Sequence, residues 1–230
     1  MQGSFPLPLG RINCGEKEYR NSINPEEAIQ KLGSAGVSNP EVRLDSFVES
    51  FPRRMKWLRE NGGRFSWRYT TDPWKVFVAE VLLMQCDRYR VSDLYEQFLE
   101  RFKSPYKIIN AREDEVEKYL EEIGLSNQRI RTYKEAAEQF VNQQGQVPNS
   151  LEGLQEPHGS GPYISRATML FAFGEPVALY DTNMESFLEE QFGLTDLSHE
   201  EGLEVMESLT PQDAGIARAM YFSILDQQDS

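Results

Sequence analysis

The fold prediction for this chain starts from residues Gly159 to Asn183, GSGPYISRATMLFAFGEPVALYDTN. It begins with a Gly-x-Gly turn and continues as an apolar helix from Tyr163 to Phe173. The helix breaks at Gly174, and a short apolar run then leads to Asp181. Such a turn exposes backbone N–H groups at a helix N-terminus, where unpaired donors and the macrodipole suit an anion such as phosphate. The stretch therefore predicts one compact unit with a polar group at each end.

The composition is typical of a packed globular protein. Of the 230 residues, 39% are hydrophobic and 11% are aromatic, which argues against disorder. No apolar run approaches membrane-spanning length, and the N-terminus lacks the pattern of a signal peptide. The two cysteines, Cys14 and Cys86, are too few for a disulfide framework or a Cys-rich zinc site. We therefore expect an intracellular protein with no membrane association.

The net charge of −13 opposes nucleic-acid binding, because DNA-binding surfaces gain affinity from Lys and Arg against phosphates. A local basic face can nevertheless coexist with an acidic surface elsewhere on the molecule. The charge therefore weighs against a DNA-binding function without excluding it.

Apolar residues recur at helical spacing along the chain, and no run alternates in the manner of a strand. Asp72 and Pro73 predict a helix start, Pro52 predicts a kink or a new helix, and Thr182 with Glu185 has capping-box spacing. The pattern predicts an all-α fold. Its helices are expected at residues 26–32, 44–61, 74–86, 91–102, 106–110, 114–123, 128–144, 150–156, 163–173, 184–192, 198–208 and 211–225.

Four features follow one another in the stretch from Gly159 to Asn183: Gly-x-Gly-x-Tyr, an Ala/Phe-rich helix, Phe-Gly-x-Pro-Val-Ala and Asp-x-Asn. Their order resembles that in the helix-hairpin-helix (HhH-GPD) DNA glycosylases of the endonuclease III and MutY superfamily. Tyr163 and Asp181 are separated by 18 positions in this pattern. The similarity runs from about Phe47 to about Leu225. It implies two helical domains, with the active site and double-stranded DNA in the cleft between them.

The resemblance also implies domain boundaries. Residues 72–173 would form a helical barrel that contains the hairpin. Residues 44–71 together with 174–230 would form a flanking helical domain, and residues 1–43 are assigned to an N-terminal extension.

Asp181 is the candidate for the group that faces the sugar. Cleavage of a glycosylic bond develops positive charge on the sugar, and an ionised carboxylate can stabilise that charge or orient water. A helix cap is the alternative role, because Asp commonly occupies the first position before a helix. The resemblance favours catalysis.

Glu80 is the second candidate carboxylate, because it interrupts the apolar run from Val76 to Met84. Desolvation on that helix would raise its pKa and favour a protonated form that can act as a general acid. A buried structural Glu is the alternative. In the similar adenine and thymine mismatch glycosylases, the Glu of the matching helix lies beside the extruded base.

Tyr163 occupies the position at which bifunctional relatives carry a Lys nucleophile. A Tyr cannot form the Schiff base that permits strand cleavage, so the resemblance implies a monofunctional enzyme that leaves an abasic site. An aromatic residue on an apolar helix is otherwise typical of the core.

Gln85 and Leu125 match positions at which relatives insert a side chain into the space left by the flipped nucleotide. A solvated helix residue and a loop anchor are the respective alternatives. The segment around Leu125 resembles the corresponding segment of the thymine mismatch glycosylases. This resemblance favours thymine over adenine as the base that is removed. The expected DNA contacts are Gln85, Leu125, Ser126, Asn127, Gly159, Ser160 and Gly161.

The sequence also departs from the family pattern. Pro157 and His158 replace a Leu-Pro pair in the hairpin, and Ser186 and Glu190 stand where relatives commonly carry Arg. Most relatives carry a four-cysteine iron–sulfur loop near the C-terminus. This sequence has no Cys beyond Cys86, so we expect no iron–sulfur cluster, no metal and no other cofactor.

Together these features predict a monofunctional, monomeric DNA base-excision repair glycosylase that removes thymine or uracil opposite guanine. Two alternatives remain open from the sequence. The first is an adenine glycosylase acting opposite guanine or 8-oxoguanine, which the absence of an additional C-terminal domain disfavours. The second is a catalytically inactive relative that binds DNA.

Overall fold

The computed structural model describes residues 13–227, and within that range the regular structure is entirely helical, which confirms the all-α prediction. In chain order the α-helices are α1 (Glu16–Asn21), α2 (Pro25–Ser34), α3 (Pro40–Asn61), α4 (Pro73–Leu83), α5 (Arg88–Arg101), α6 (Pro105–Ile109), α7 (Glu113–Leu120), α8 (Ser126–Asn142), α9 (Leu151–Gln155), α10 (Pro162–Thr168), α11 (Thr182–Phe192), α12 (His199–Leu209) and α13 (Ala214–Gln227). Two 3-10 turns, Ser66–Tyr69 and Glu121–Ile123, and a π-helical turn, Met169–Phe173, complete the regular structure of the described residues. No helix among residues 13–227 is both long and apolar enough to cross a membrane.

The chain divides into two compact units. The first unit combines residues 1–64 with residues 174–230, and the second unit is the continuous segment 65–173.

The first unit is built around α3, which packs against α1, α2, α11 and α13. Its core is aromatic: the ring centroids of Tyr19 and Phe51 lie 4.3 Å apart, and those of Phe47 and Phe187 lie 5.6 Å apart. The buried Tyr19 hydroxyl donates to the carbonyl oxygen of Leu209 at 2.6 Å, which ties α1 to the end of α12. Residues 16–34 of the segment assigned to an N-terminal extension are therefore packed into this unit.

Helix α3 continues across Pro52 rather than ending and restarting there. Proline removes one backbone hydrogen bond from a helix. The apolar face compensates for that loss, because Phe47, Phe51 and Met55 on both sides of Pro52 are buried in the core.

The second unit surrounds α4, which packs against α5, α8 and α10. Tertiary hydrogen bonds hold this helix in place: the Tyr133 hydroxyl donates to the Val78 carbonyl oxygen at 2.9 Å, and the Tyr95 hydroxyl donates to the Lys75 carbonyl oxygen at 3.1 Å. Because α4 is apolar on almost all sides, its position depends on this packing rather than on solvent-facing residues.

Candidate active site

Glu80 lies on α4 and is only 6% exposed, with buried residues on both sides of it in the chain. The helix starts where the sequence predicts, since the Asp72 carboxylate accepts a hydrogen bond from the Lys75 backbone N–H at 3.1 Å and Pro73 occupies the first turn. Helix α4 therefore carries one buried carboxyl group within a run of buried apolar residues, as the sequence indicates.

Tyr163 lies in the first turn of α10, the helix that packs against α4. Its side chain is half-buried, whereas the following residues Ile164, Ala167 and Thr168 are buried. Tyr163 is therefore at the margin of the apolar core, on the helix next to the one that carries Glu80.

Asp181 is the N-cap of α11 in the first unit. Its Oδ1 accepts hydrogen bonds from the backbone N–H groups of Asn183 at 3.0 Å and Met184 at 3.2 Å, and its Oδ2 accepts one from the Asn183 side chain at 3.0 Å. Asp181 is half-buried and therefore still reaches solvent. A carboxylate has about four acceptor sites, so these three bonds leave room for a further donor.

The predicted capping box of Thr182 and Glu185 is wrong, because Asp181 takes the N-cap position and Thr182 is the first residue of the helix. The Asp carboxylate reaches the free N–H groups from one position earlier in the chain. Capping and catalysis are compatible roles for Asp181, since the cap fixes the orientation of the carboxylate.

The hairpin turn between α9 and α10 is fixed by internal hydrogen bonds. Ser160 is 2% exposed, and its hydroxyl donates to the Leu154 carbonyl oxygen at 2.6 Å. The Thr132 hydroxyl donates to the His158 carbonyl oxygen at 2.7 Å. The side chain of Ser160 is thus used within the hairpin, so a ligand at this turn would meet the backbone of Ser160.

The two glycines of the turn have different surroundings. Gly159 has a φ of +79°, in the left-handed region that favours glycine, and a Cβ there would lie 2.6 Å from Thr132 Oγ1. Gly161 is the N-cap of α10, and apart from its neighbours in the chain no atom of the described structure lies within 4 Å of where its Cβ would be. The approach to the backbone at Gly161 is therefore open.

Gln85 and Leu125 are exposed and share an uncommon backbone conformation. Their φ values are +46° and +49°, and Leu125 is 39% exposed although it is a large apolar residue. Gln85 follows the end of α4, and Leu125 immediately precedes α8, whose first residues are Ser126 and Asn127. Non-glycine residues adopt this conformation rarely, and such positions cluster at functional sites.

Arg129 is not among the site residues predicted from the sequence. It lies on α8, is fully buried, and donates to main-chain carbonyl groups at the end of α4 and in the turn that precedes Leu125. A sequence signal for it exists, because Arg129 shares an apolar face with Tyr133, Ala136 and Phe140. The N–H donors of a charged side chain at such a buried position must bond to acceptors within the protein.

The candidate residues are distributed over both units. The second unit contains Glu80, Tyr163, Gln85, Leu125, Ser126, Asn127 and the turn 159–161, and the first unit contains Asp181.

A four-cysteine iron–sulfur cluster does not fit the donor set of this sequence. The sequence has two cysteines, and the buried Cys14 points its thiol at its neighbour's carbonyl oxygen, Gly15 O, at 3.3 Å. Within residues 13–227, no group of three or more His, Cys, Asp or Glu residues is arranged to hold a metal ion.

The described residues combine an all-α fold with a Gly-x-Gly hairpin turn before α10 and an Asp-capped helix α11, the features on which the resemblance to helix-hairpin-helix DNA repair proteins rests. The chain belongs to the HhH-GPD superfamily of base excision DNA repair proteins, whose match covers residues 78–220. The resemblance seen in the sequence is thereby confirmed.

Several relatives extend this match over most of the chain. A thymine/uracil-DNA glycosylase of Pyrobaculum aerophilum is 32% identical over 179 residues, which cover 75% of this chain and 78% of that protein. A thymine-DNA glycosylase of Aeropyrum pernix is 32% identical over 187 residues, covering 78% of this chain and 84% of that protein. The solved structure of a thermostable thymine-DNA glycosylase matches with a TM-score of 0.73 and 27% identity, over 82% of this chain and 87% of that chain. Endonuclease III and adenine DNA glycosylase relatives also match, at lower identity.

Proposed function

We propose that this protein is a monofunctional DNA N-glycosylase that hydrolyses the N-glycosylic bond of thymine or uracil opposite guanine. The observation that carries the proposal is the 32% identity, over three quarters of the chain, to relatives named for thymine and uracil excision. Adenine excision has weaker support, because the adenine DNA glycosylase relatives are less similar.

On the sugar side of the bond, the proposal assigns the chemistry to Asp181. As the base departs, the sugar develops positive charge, and a carboxylate held in a fixed orientation stabilises that charge or directs the attacking water. The hydrogen bonds from Asn183 and Met184 provide the fixed orientation, so little reorganisation is needed during the reaction.

On the base side, the proposal assigns a proton or hydrogen bond to Glu80. A departing pyrimidine takes the electron pair of the broken bond and leaves as an anion. A hydrogen bond to one of its oxygen atoms stabilises that anion, and proton transfer to the base neutralises it. The burial of Glu80 strengthens any such interaction, because water competes less with it there.

Tyr163 determines the product in this proposal. A Lys amine at this position would attack the sugar and form a Schiff base, which leads to strand cleavage. A phenol does not form that adduct. The product is therefore an abasic site in an intact strand, and water is the nucleophile.

The proposed substrate is double-stranded DNA, bound by a monomer through the turn 159–161 and the segment around Leu125. Nearly all of the acidic excess of the chain lies in residues 174–230, which contain 13 Asp and Glu and one Arg. Residues 65–173 contain 16 Asp and Glu and 13 Lys and Arg, so they repel phosphates much less than the net charge of −13 suggests. The proposal places the protein in the compartment that holds DNA, and it needs no iron–sulfur cluster or metal.

A panel of labelled duplexes tests the proposal. Duplexes containing G:T, G:U, A:G or A:8-oxoguanine are incubated with the protein, and each sample is analysed with and without alkali. We expect strand scission at G:T and G:U only, and only after alkali. Scission at A:G or A:8-oxoguanine alone would favour adenine excision, scission without alkali would refute the monofunctional assignment, and binding without scission on every duplex would indicate an inactive relative.

A further inference from the structure

The buried guanidinium of Arg129 connects two segments that are distant in sequence. It donates to the carbonyl oxygens of Val81 and Leu82 at 3.1 Å each, and it also donates to that of Met84. On the other side it donates to the carbonyl oxygen of Ile123 at 3.1 Å and to that of Gly124. One side chain thus holds the end of α4 and the turn before α8 together.

Two of these carbonyl groups belong to the peptide bonds that immediately precede Gln85 and Leu125. The Met84 carbonyl forms the peptide bond with Gln85, and the Gly124 carbonyl forms the peptide bond with Leu125. Fixing a carbonyl oxygen fixes the plane of its peptide group, because the peptide bond is planar. Arg129 therefore sets the backbone orientation from which both exposed side chains project.

Gln85 and Leu125 also share the left-handed backbone conformation, with φ values of +46° and +49°. L-residues with a Cβ avoid this region, so each conformation persists only where the surrounding structure imposes it. The side chain of Leu125 does not cap α8, and the residue exposes apolar surface to solvent. Packing within the protein therefore accounts for neither the left-handed backbone conformation of Leu125 nor its exposed side chain.

We propose that Arg129 is a positioning residue that holds Gln85 and Leu125 ready to enter the space left in the duplex by the extruded nucleotide. The inference rests on the proposed function, since it gives the two side chains the role of wedges in base extrusion. Arg129 itself does not touch the DNA. It acts by removing the cost of ordering the two wedges during binding.

The chemistry of the position requires an arginine. A guanidinium has five N–H donors in a rigid planar arrangement, whereas a lysine ammonium has three donors at one point. Carbonyls at the C-terminal end of a helix also carry the negative end of the helix dipole, so a cation there is favourable. Burial lowers the pKa of Arg129, but a guanidinium remains protonated at neutral pH.

Lys134 provides a matched control on the same helix. Its ammonium group also donates to main-chain carbonyls, those of Ile108 at 2.9 Å and of Ala111, but it holds α6 rather than the segments of Gln85 and Leu125. Lys134→Met therefore removes a similar structural cation and leaves the proposed wedges in place. Arg129→Lys keeps the buried charge and is the milder change, and Arg129→Met removes the charge.

The experiment separates base extrusion from base excision. Duplexes with 2-aminopurine next to the mismatched thymine of a G:T pair report extrusion, because unstacking raises the fluorescence of 2-aminopurine. Single-turnover excision is measured on the same duplex, and on a duplex whose thymine lies opposite an abasic site and costs less to extrude. Thermal unfolding identifies the temperature at which every variant is folded.

We expect wild-type protein and Lys134→Met to raise the fluorescence equally. Arg129→Lys is expected to lose most of this rise and to excise from the G:T duplex about 10²-fold more slowly, with a much smaller loss on the abasic-site duplex. Leu125→Ala is expected to show the same difference between the two duplexes. The double variant Leu125→Ala, Arg129→Lys is expected to lose little more excision on the G:T duplex than either single variant.

A wild-type fluorescence rise that is preserved in folded Arg129→Lys and Arg129→Met would overturn the inference. An equal loss of excision on both duplexes would overturn it as well, since that indicates general damage to the fold. If wild-type protein raises the fluorescence and folded Arg129→Lys loses that rise, but no base is excised, the proposed activity fails while the positioning role stands. If it binds without any rise, the inference fails whatever the excision activity is.

Discussion

The carboxylate of Asp181 accepts a hydrogen bond from the backbone N–H of Met184 at 3.2 Å, so the candidate catalytic group is also the N-cap of α11. Asn caps helices about as well as Asp, whereas Ala does not. Substitutions at this one position can therefore separate the structural role from the chemical one.

We predict that Asp181→Asn keeps the thermal stability within about 1 kcal/mol of wild type and lowers single-turnover excision by at least about 10²-fold. Asp181→Ala should lose both activity and about 1 kcal/mol of stability. Ser198→Ala is the control, because Ser198 caps α12 in the same unit and its loss should reduce stability alone. Excision by Asp181→Asn at the wild-type rate would restrict Asp181 to capping.

Glu80→Gln tests the second carboxylate. Gln has the size and polarity to remain in the apolar helix but cannot supply a proton, so we predict a loss of about 10²- to 10⁴-fold in single-turnover excision. Asp72→Asn is the matched control, because it removes a carboxylate from the exposed start of the same helix and retains the cap. Equal rates for Glu80→Gln and wild type would show that no acid is needed at this position.

Tyr163→Lys should change the product. We predict that this variant forms a Schiff base with the abasic sugar, which borohydride traps as a covalent protein–DNA adduct, while wild-type protein gives no adduct. Tyr163 is half-buried in the first turn of α10, so a Lys at this position can pack its stem against the protein and keep its amine accessible. Denaturing electrophoresis measures the adduct, and the Tyr163→Lys, Asp181→Asn double variant is the control. A trapped adduct with wild-type protein would contradict the assignment of water as the nucleophile.

Much of the fold is predictable from the sequence because local signals and packing agree. The start of α4 at Asp72 and Pro73 is confirmed, since a strong cap coincides with the first buried apolar residues. Helix α3 shows the limit of local reasoning: of the two outcomes predicted at Pro52, a new helix is wrong, because core residues on both sides of the proline keep the helix continuous, and a kink stays a prediction. Helix α1 is absent from the predicted helices, because its six residues contribute one buried side chain, Tyr19.

Without the family resemblance, a site residue is predictable only where its residue type carries its own signal. Glu80 stands out as a charge within an apolar run, and the structure places it in the core. Leu125 carries no such signal, because a positive φ at a leucine cannot be predicted from the residue types in a single sequence. Arg129 was recognisable as a cation on an apolar helix face, but its carbonyl partners from Val81 to Gly124 depend on how α4 and α8 pack.

Alkaline pH should destabilise the protein through its buried tyrosines. Burial raises the pKa of Tyr133 and Tyr19 well above the ordinary value of 10.0. Above pH 10 the unfolded chain loses these protons and the folded protein keeps them. The contribution of these tyrosines to the free energy of unfolding is therefore fully present below pH 10, and it decreases as the pH rises above 10. Tyr95 contributes in the same direction, because burial raises its pKa too.

The variant Tyr133→Phe isolates one of these groups. At pH 8 it should be about 1 kcal/mol less stable than wild type, because it loses the hydrogen bond to the Val78 carbonyl. Above pH 10 this deficit should shrink by about 1.4 kcal/mol per pH unit. Urea unfolding at several pH values measures it, with Tyr106→Phe, 45% exposed, as the control. A deficit that does not change with pH would contradict the prediction.

The two hairpin glycines should respond oppositely to alanine. At Gly159 a methyl group would require a positive φ and would lie 2.6 Å from Thr132 Oγ1. Thr132 cannot easily move, because its hydroxyl bonds the carbonyl groups of Gln128 and His158. We therefore predict that Gly159→Ala lowers the free energy of unfolding by more than about 1 kcal/mol.

At Gly161 a methyl group meets no atom within 4 Å other than those of its chain neighbours, and φ is −75°, so Gly161→Ala should change stability by less than about 1 kcal/mol. The methyl group would instead occupy the space through which a phosphate approaches the backbone N–H groups. We predict a clear loss of duplex affinity for Gly161→Ala, measured by fluorescence anisotropy at two salt concentrations, with wild-type stability in urea. Unchanged affinity would mean that no phosphate approaches this turn closely, and the DNA contact predicted at residues 159–161 would then be wrong.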